Sequence, residues 1–206
     1  KEYFWEEMGP FTVVTAPDDS EFIPGNGRIN CISIMPNNDS TILVGAASGG
    51  IWKSIDAGNT WKVIPYTDIL SLGIMDIAIS NTDTNIMFAT TGDASGWNLF
   101  KSFSIGILKS TDAGESWSIS GVLFDLSDSI YCARIIINPE DNNIVYVTTS
   151  KSVLKSIDGG QTWKNILTGY DCRDIKFNAA NSNIIYVTTF GYNNSNYILV
   201  SLDAGE

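Results

Sequence analysis

The chain has 206 residues, and its 12 basic against 23 acidic side chains give a net charge of −11, which repels a phosphate backbone and excludes nucleic acid as a partner. Hydrophobic residues make up 44% of the chain, enough for a buried core, but no run of 18 apolar residues predicts a membrane span. There is no histidine, and Cys31, Cys132 and Cys172 are far apart, so the sequence predicts no metal site and no cofactor.

Residues 1–27 contain one strand-like run, from Trp5 to Pro10, followed by a connection rich in Pro, Gly and Asp. This run is similar to the fourth strand of the repeat unit described below, but the turn that precedes that strand in the repeats is missing. We expect it to pair with the last sheet and close a ring, because closure removes an exposed sheet edge. A closed ring of four sheets is one alternative. A fragment of a larger protein is favoured, since the fourth repeat stops inside its turn at Glu206.

From residue 28 onward, one phrase with the pattern Ser-x-Asp-x-Gly-x-Thr/Ser-Trp occurs three times in full and once in part. Its serines are 56, 46 and 45 residues apart, a period that fits one four-stranded blade of a β-propeller. Asp followed by Gly predicts a tight turn, in which the carboxylate accepts backbone N–H groups and Gly takes a positive φ. The predicted structural residues are Ser54, Asp56, Gly58, Trp61, Ser110, Asp112, Gly114, Trp117, Ser156, Asp158, Gly160, Trp163, Ser201, Asp203 and Gly205.

Short β-branched runs surround each phrase and predict four strands per repeat. The predicted blades span residues 28–67, 68–122, 123–168 and 169–206. The second blade carries an insertion at 92–104, between its second and third strands, and the fourth blade is incomplete. We therefore predict an all-β propeller of antiparallel blades, three complete and one partial, with helix almost absent.

The predicted ligand face is the one opposite the Ser-x-Asp turns, where second-to-third and fourth-to-first connections emerge. Exposed aromatic residues grouped on one surface indicate recognition. The candidate binding residues are Asp93, Trp97, Asn98, Phe100, Tyr131, Tyr170 and Tyr192. Two alternatives stay open: the aromatic residues of the insertion form a small core of their own, and Asp93 is a turn former.

Two arginines and two cysteines lie near the predicted first strands. Arg134 and Arg173 either line a cavity or pair with nearby acids such as Asp174 and Asp171. Cys132 and Cys172 fall at equivalent places in adjacent repeats, where inner strands diverge, so we expect buried free thiols and not a disulfide.

The repeated phrase resembles the Asp-box, or BNR, repeat of sialidases, sortilin-type receptors, xyloglucan hydrolases and many secreted bacterial propellers. In those families the turns face away from the ligand, so the resemblance implies a structural role for the four aspartates. The arginine triad and the Tyr/Glu pair of sialidases have no counterpart here. Xyloglucan hydrolases place a catalytic Asp two residues before a Gly-Gly pair, where this chain has Ala47 before Gly49 and Gly50. Because inverting hydrolysis needs two carboxyl groups, that difference argues against catalysis.

The stretches 27–36, 44–54 and 105–110 are similar to the amino-terminal propeller of large secreted Bacteroidetes-type proteins, which often end in a sorting domain for type 9 secretion. This resemblance implies a location outside the cell or on the bacterial surface, with the rest of a larger polypeptide and the secretion machinery as partners. We predict a binding module for a glycan or a protein. The alternatives are a xyloglucanase-like glycoside hydrolase with its catalytic acids partly outside this chain and a structural spacer of an adhesin.

Overall fold

The computed structural model describes residues 28–65, 67, 73–94, 102–191 and 196–206. Within them the chain forms fifteen β-strands and one short 3-10 helix, Leu126–Asp128. The strands make four antiparallel sheets, each built from consecutive strands, as in a β-propeller. This confirms the predicted fold class. The clasp predicted around Trp5 lies outside the described residues.

Three sheets have four strands and the last has three, as predicted. The first strands of neighbouring sheets contact one another, which places them on the inside of the arc. Blade 1 consists of β1 (Ile29–Met35), β2 (Asn38–Ala46), β3 (Ile51–Ser54) and β4 (Lys62–Val63). Blade 2 consists of β5 (Ile74–Ile79), β6 (Met87–Thr91), β7 (Gly106–Ser110) and β8 (Ser118–Leu123). Blade 3 consists of β9 (Cys132–Ile137), β10 (Val145–Thr149), β11 (Ser152–Ser156) and β12 (Lys164–Thr168). Blade 4 consists of β13 (Asp171–Asn178), β14 (Asn181–Phe190) and β15 (Ile198–Ser201).

The fourth strands begin one residue after each Trp and not at the Trp itself. Trp117 and Trp163 still belong to the turn, because each indole N–H donates to the carbonyl of the turn glycine, Gly114 or Gly160, at 3.2 Å. The indole ring thus lies against the end of the turn, and the fourth strand begins at the next residue.

Every first strand has a β-bulge at the same place, where the register with the second strand skips one residue. A bulge leaves one residue out of the ladder and sharpens the local twist. The residue that follows the bulge therefore occupies an equivalent inner position in each blade. These four residues are Cys31, Asp76, Arg134 and Asp174.

The apolar core lies between the blades, in three clusters that join blade 1 to 2, blade 2 to 3 and blade 3 to 4. The second strands supply its largest side chains: Leu43, Phe88 and Tyr146 point towards the following blade and are 0% exposed. Burial of a side chain of this size stabilises the fold by roughly 1.5–3 kcal/mol. Each blade thus depends on the next one for its core.

A lysine on the third strand lies beside each of these three side chains in the ladder. Lys53 donates to the Ala113 carbonyl at 2.9 Å, and Lys109 donates to the Gly159 carbonyl at 2.7 Å. Both acceptors lie in the Ser-x-Asp turn of the following blade. In blade 3, Lys155 pairs instead with Glu206, at 2.5 Å. These lysines bury their stems between blades and fix one blade to the next.

All three cysteines are free and buried, which confirms the expectation for Cys132 and Cys172. Cys132 packs in the cluster between blades 2 and 3, and Cys172 packs in the cluster between blades 3 and 4. Burial raises the pKa of the Cys132 thiol to about 12, so it stays protonated at neutral pH.

Candidate binding face

The two faces of the arc are built from different connections. The Ser-x-Asp turns lie beside the first-to-second turns, because each donates one backbone bond to its neighbour: Ala57 N to Ser40 O, Ala113 N to Asn85 O, Gly159 N to Asn143 O and Ala204 N to Asn183 O. The other connections meet on the opposite face, where Ser104 N donates to Ile130 O at 2.7 Å. Asp93, Tyr131 and Tyr170 belong to that second face.

The Ser-x-Asp turns share one hydrogen-bond pattern, as in Ser110 to Ser116. The Ser110 hydroxyl donates to Asp112 Oδ1 at 2.8 Å and accepts the Gly114 N–H at 2.9 Å. Asp112 accepts the Ser116 N–H on Oδ1 and the Ser116 hydroxyl on Oδ2, at 2.9 and 2.6 Å. Two consecutive residues, Ala113 and Gly114, have positive φ angles of 58° and 84°. The sequence indicated only the glycine.

These bonds account for the carboxylates' acidity. Hydrogen bonds from the Ser116 side chain and backbone lower the pKa of Asp112 to about 2, and the equivalent bonds from Thr162 lower that of Asp158 to about 2. In each turn, a hydroxyl and a backbone N–H already donate to the two carboxylate oxygens. The turns therefore suit a structural role better than proton transfer.

On the opposite face, one cluster of side chains joins the start of blade 3 to blade 4. Arg173 Nη2 donates to Asp171 Oδ2 at 2.6 Å and to the Tyr131 hydroxyl at 3.1 Å, and that hydroxyl donates to Asp171 Oδ2 at 3.0 Å. The guanidinium carbon lies 5.1 Å from the ring centre of Tyr131 and 5.3 Å from that of Phe190. We call Tyr131, Asp171, Arg173 and Phe190 the Arg173 cluster. Within the described residues, Asp171 Oδ1 and Arg173 Nε are buried without a hydrogen-bond partner.

A second aromatic pair lies next to the cluster in the chain. Tyr170 precedes Asp171 and meets Tyr197 edge to face, with ring centres 6.4 Å apart. Tyr170, Phe190 and Tyr197 are 37–50% exposed. Tyr131 and Tyr170 were predicted from the sequence as binding residues, whereas Arg173, Phe190 and Tyr197 were not predicted to share their surface. Phe190 is opposite Asp171 in the β13–β14 ladder, a register that no local pattern reveals.

Asp93 lies at the base of the insertion, where its N–H donates to Ser102 O at 2.8 Å. Its carboxylate forms an ion pair with Arg28, and the residue is only 3% exposed. A ligand hydroxyl reaches this carboxylate only if Arg28 moves. Trp97, Asn98, Phe100 and Tyr192 lie outside the described residues.

Three of the four inner positions after the bulges, those of blades 2, 3 and 4, form a row of ion pairs that crosses two blade interfaces. Arg134 Nη1 donates to Asp76 Oδ1 at 3.2 Å, and Arg134 Nε donates to Asp174 Oδ1 at 3.1 Å. Asp76 also accepts the Ile135 N–H at 3.0 Å, and burial raises its pKa. The pairing of Arg134 with Asp174 and of Arg173 with Asp171 confirms the ion-pair interpretation of both arginines. The sequence did not point to Asp76.

Ala47, the position that the sequence resemblance compares with a catalytic Asp, has no ionisable side chain, and its backbone N–H donates to Arg28 O at 2.9 Å. No group of three or more acidic, cysteine or histidine side chains suited to a metal ion occurs in the part of the chain that the structure describes. No helix of this part is long and apolar enough to span a membrane.

Comparisons with known proteins place the chain near xyloglucan-degrading enzymes. It is 30% identical over 149 residues to xyloglucanase Xgh74A of Acetivibrio thermocellus, covering 63% of this chain and 16% of that protein. It is 27% identical over 165 residues to a xyloglucanase of Hypocrea jecorina, covering 70% of this chain and 20% of the relative. The chain thus spans about a sixth to a fifth of the length of these relatives. No protein-family model matches the chain.

Solved structures show the same fold. The GH74 xyloglucanase of Xanthomonas campestris superposes with a TM-score of 0.67 at 18% identity, over 88% of this chain and 30% of that one. An ancestral GH74 enzyme gives a TM-score of 0.66 at 24% identity, over 84% of this chain and 24% of that one. YCF48 from Cyanidioschyzon merolae, at 13% identity, gives 0.57 over 86% of this chain and 57% of its own. These likenesses establish a β-propeller.

Proposed function

We propose that this propeller region binds xyloglucan or a closely related polysaccharide through the face that carries the Arg173 cluster. The observation that carries the proposal is the exposed aromatic surface of Tyr170, Phe190 and Tyr197, on a chain similar in sequence to xyloglucanases. Aromatic rings stack on the apolar faces of sugar rings, and a few fixed polar groups orient the hydroxyls.

The Arg173 cluster supports this role through its rigidity. Arg173 is held between two rings and two hydrogen-bond partners, so a bound sugar would not have to order it. The exposed tyrosines then supply contact area at low cost in conformational entropy. An open surface of this kind favours an extended chain of sugars over a small molecule.

The test is calorimetric titration of the 206-residue chain with xyloglucan oligosaccharides. We expect binding, and at least fivefold weaker binding for the Tyr170→Ala, Tyr197→Ala double variant. Ile157→Ala is the matched control, because Ile157 is an exposed apolar residue of a Ser-x-Asp turn on the other face. Equal binding by the double variant would remove these tyrosines from the site, and no binding by the parent chain would refute the proposal itself.

The second candidate is a xyloglucan hydrolase whose catalytic acids lie partly outside this chain, and sequence similarity to xyloglucanases is the observation that favours it. Ala47 at the position of a catalytic acid opposes it. Reducing-sugar release from xyloglucan separates the two functions. We expect the 206-residue chain to bind and not to cleave. Sugar release above a protein-free blank, reduced in an Asp93→Asn variant, would favour a hydrolase that uses Asp93 as its acid within this chain.

Export is a further part of the proposal. Because a polysaccharide such as xyloglucan is encountered outside a cell, we propose an extracellular or surface location for this protein. We propose type 9 secretion as the export route. We also propose that the propeller belongs to the Asp-box group. The support is the set of sequence resemblances and the shared turn geometry. Fractionation of a producing bacterium, with and without a functional type 9 system, tests the route.

A further inference from the structure

The connections on the face of the Arg173 cluster differ in length from blade to blade. In blade 3, only residues 150–151 join β10 to β11, and only residues 169–170 lead from β12 to β13. By contrast, residues 92–105 join β6 to β7, residues 124–131 join β8 to β9, and residues 191–197 join β14 to β15. Because a connection of two residues cannot rise far above its strands, the surface over blade 3 is low between longer connections on both sides.

Backbone hydrogen bonds hold the two short connections of blade 3 in place. Ser150 N donates to Tyr131 O at 2.9 Å, and Gly169 N donates to Lys151 O at 3.0 Å. Gly169 has a φ of 83°. No heavy atom of the described residues beyond its chain neighbours lies within 4 Å of the place where a Cβ would stand on it. These residues therefore form a floor with open space over it.

The wall on the blade 2 side of this floor belongs to residues 124–131. Its 3-10 helix, Leu126–Asp128, presents Leu126 as an exposed apolar side chain. Lys151 Nζ donates to the Asp128 carbonyl at 2.5 Å, so the floor meets the foot of this wall. The lysine ammonium has three N–H donors, and the other two have no acceptor among the described residues.

The wall on the blade 4 side is aromatic. Tyr170 and Tyr197 meet edge to face, and both rings are exposed. Because Tyr170 directly follows Gly169 of the floor, this pair of rings borders the open space. Next to Tyr170, Arg173 and Asp171 form an ion pair of 2.6 Å, so the polar groups of this wall neutralise each other.

We infer that the polysaccharide of the proposed function lies over blade 3, in the cleft between Leu126 and the pair Tyr170 and Tyr197, and that this cleft selects an uncharged sugar chain. We call it the blade 3 cleft. The inference rests on the proposed function and adds the position of the ligand and its charge class. The tyrosine rings stack on the apolar faces of the sugars, Leu126 packs against the opposite side of the chain, and Lys151 donates to hydroxyl groups between them.

The charges around the cleft account for the preference for an uncharged chain. The ion pair of Arg173 with Asp171 leaves the tyrosine wall without net charge. Lys151, on the floor, lies in the field of a protein with a net charge of −11, which repels a polyanion. A hydroxyl group accepts a hydrogen bond from Lys151 without this repulsion, so a neutral glycan is favoured over an acidic one.

The test blocks the cleft with a chemical label. Lys151→Cys and Leu126→Cys each introduce an exposed thiol, and the three native cysteines are buried, so a bulky maleimide labels the introduced residue. Calorimetric titration with xyloglucan oligosaccharides compares each variant before and after labelling. We expect the label at either position to weaken binding about tenfold or more, because it fills the cleft. Ile157→Cys carries the same label on the opposite face and should bind equally before and after labelling.

Oligosaccharides whose primary hydroxyls have been oxidised to carboxylates test the charge class at the same ionic strength. We expect the parent chain to bind the oxidised ligand about tenfold more weakly. Binding that survives labelling at both positions would place the ligand elsewhere and overturn the cleft, while the proposed function would stand. Equal binding of the oxidised ligand would overturn the charge preference. No binding of xyloglucan by the unlabelled parent chain would refute the proposed function, and the cleft as its site with it.

Discussion

Replacement of Asp76 tests how the inner edge joins blade 2 to blade 3. Asp76→Ala removes the acceptor of the buried Ile135 N–H and one of two acid partners of Arg134. A hydrogen bond to a charged group contributes about 1.5–3 kcal/mol. Arg134 keeps its ion pair with Asp174, and its side chain is 39% exposed, so the loss of its contact with Asp76 costs little free energy. Relief from burying the Asp76 charge offsets part of the cost, and we expect a loss of about 2 kcal/mol in the free energy of unfolding.

Asp76→Asn is the matched control. The amide keeps an oxygen for the Ile135 N–H and removes the buried charge, so we expect a change within about 1 kcal/mol. Urea denaturation followed by tryptophan fluorescence measures both variants, with the slope of free energy against urea checked for equality. Equal losses for Ala and Asn, or losses below about 0.5 kcal/mol for both, would show that the Ile135 bond does not hold the interface.

The difference in stability between the parent chain and Asp76→Asn should change with pH in a predictable direction. Burial raises the pKa of Asp76 in the folded protein, so the protonated form is favoured by folding. The stability from this group is fully present below the unfolded pKa, about 3.9, and is lost as pH rises through the folded pKa. The parent chain should therefore gain stability relative to Asp76→Asn as pH falls from 7 towards 4. A difference that moves the other way would mean that Asp76 is stabilised as an anion.

Three further predictions concern the turns, the lysines and the thiols. Asp112→Ala should cost about 1–3 kcal/mol in urea denaturation, because one backbone N–H and two hydroxyl groups lose their acceptor. Hydrogen bonds lower the pKa of Asp112, so this loss should be present above the unfolded pKa of about 3.9 and fade as pH falls towards 2. An effect no larger than that of Asp128→Ala would contradict the prediction. Lys109→Met should lower the free energy of unfolding by about 1 kcal/mol, because the hydrogen bond to the Gly159 carbonyl is lost. Lys62→Met is the control and should leave the free energy of unfolding unchanged. Equal effects of the two substitutions would argue against the inter-blade contact. Cys132 should resist iodoacetamide at pH 8 in the native chain and react in urea, as mass spectrometry would show; rapid native labelling would mean that the blade 2–3 interface opens.

Much of the architecture is local and was therefore readable from the chain. A Ser-x-Asp-x-Gly phrase makes its own turn, because the serine hydroxyl, the carboxylate and the glycine satisfy one another within seven residues. Its period gave the number of strands per blade and the number of blades. The β-branched runs between the phrases gave the strands, since side chains buried on both faces of a sheet must be apolar.

The sites depend on contacts between residues far apart in the chain. Tyr131 and Arg173 meet because a blade interface brings the start of blade 3 against blade 4, and Phe190 joins them through the register of β14. Asp76 and Arg134 are 58 residues apart, and a bulge in each first strand aligns them. The local sequence determined the turns and strands of each blade. The stacking of those blades alone decided which charges and rings face one another, because a partner across an interface leaves no periodic signal in either strand.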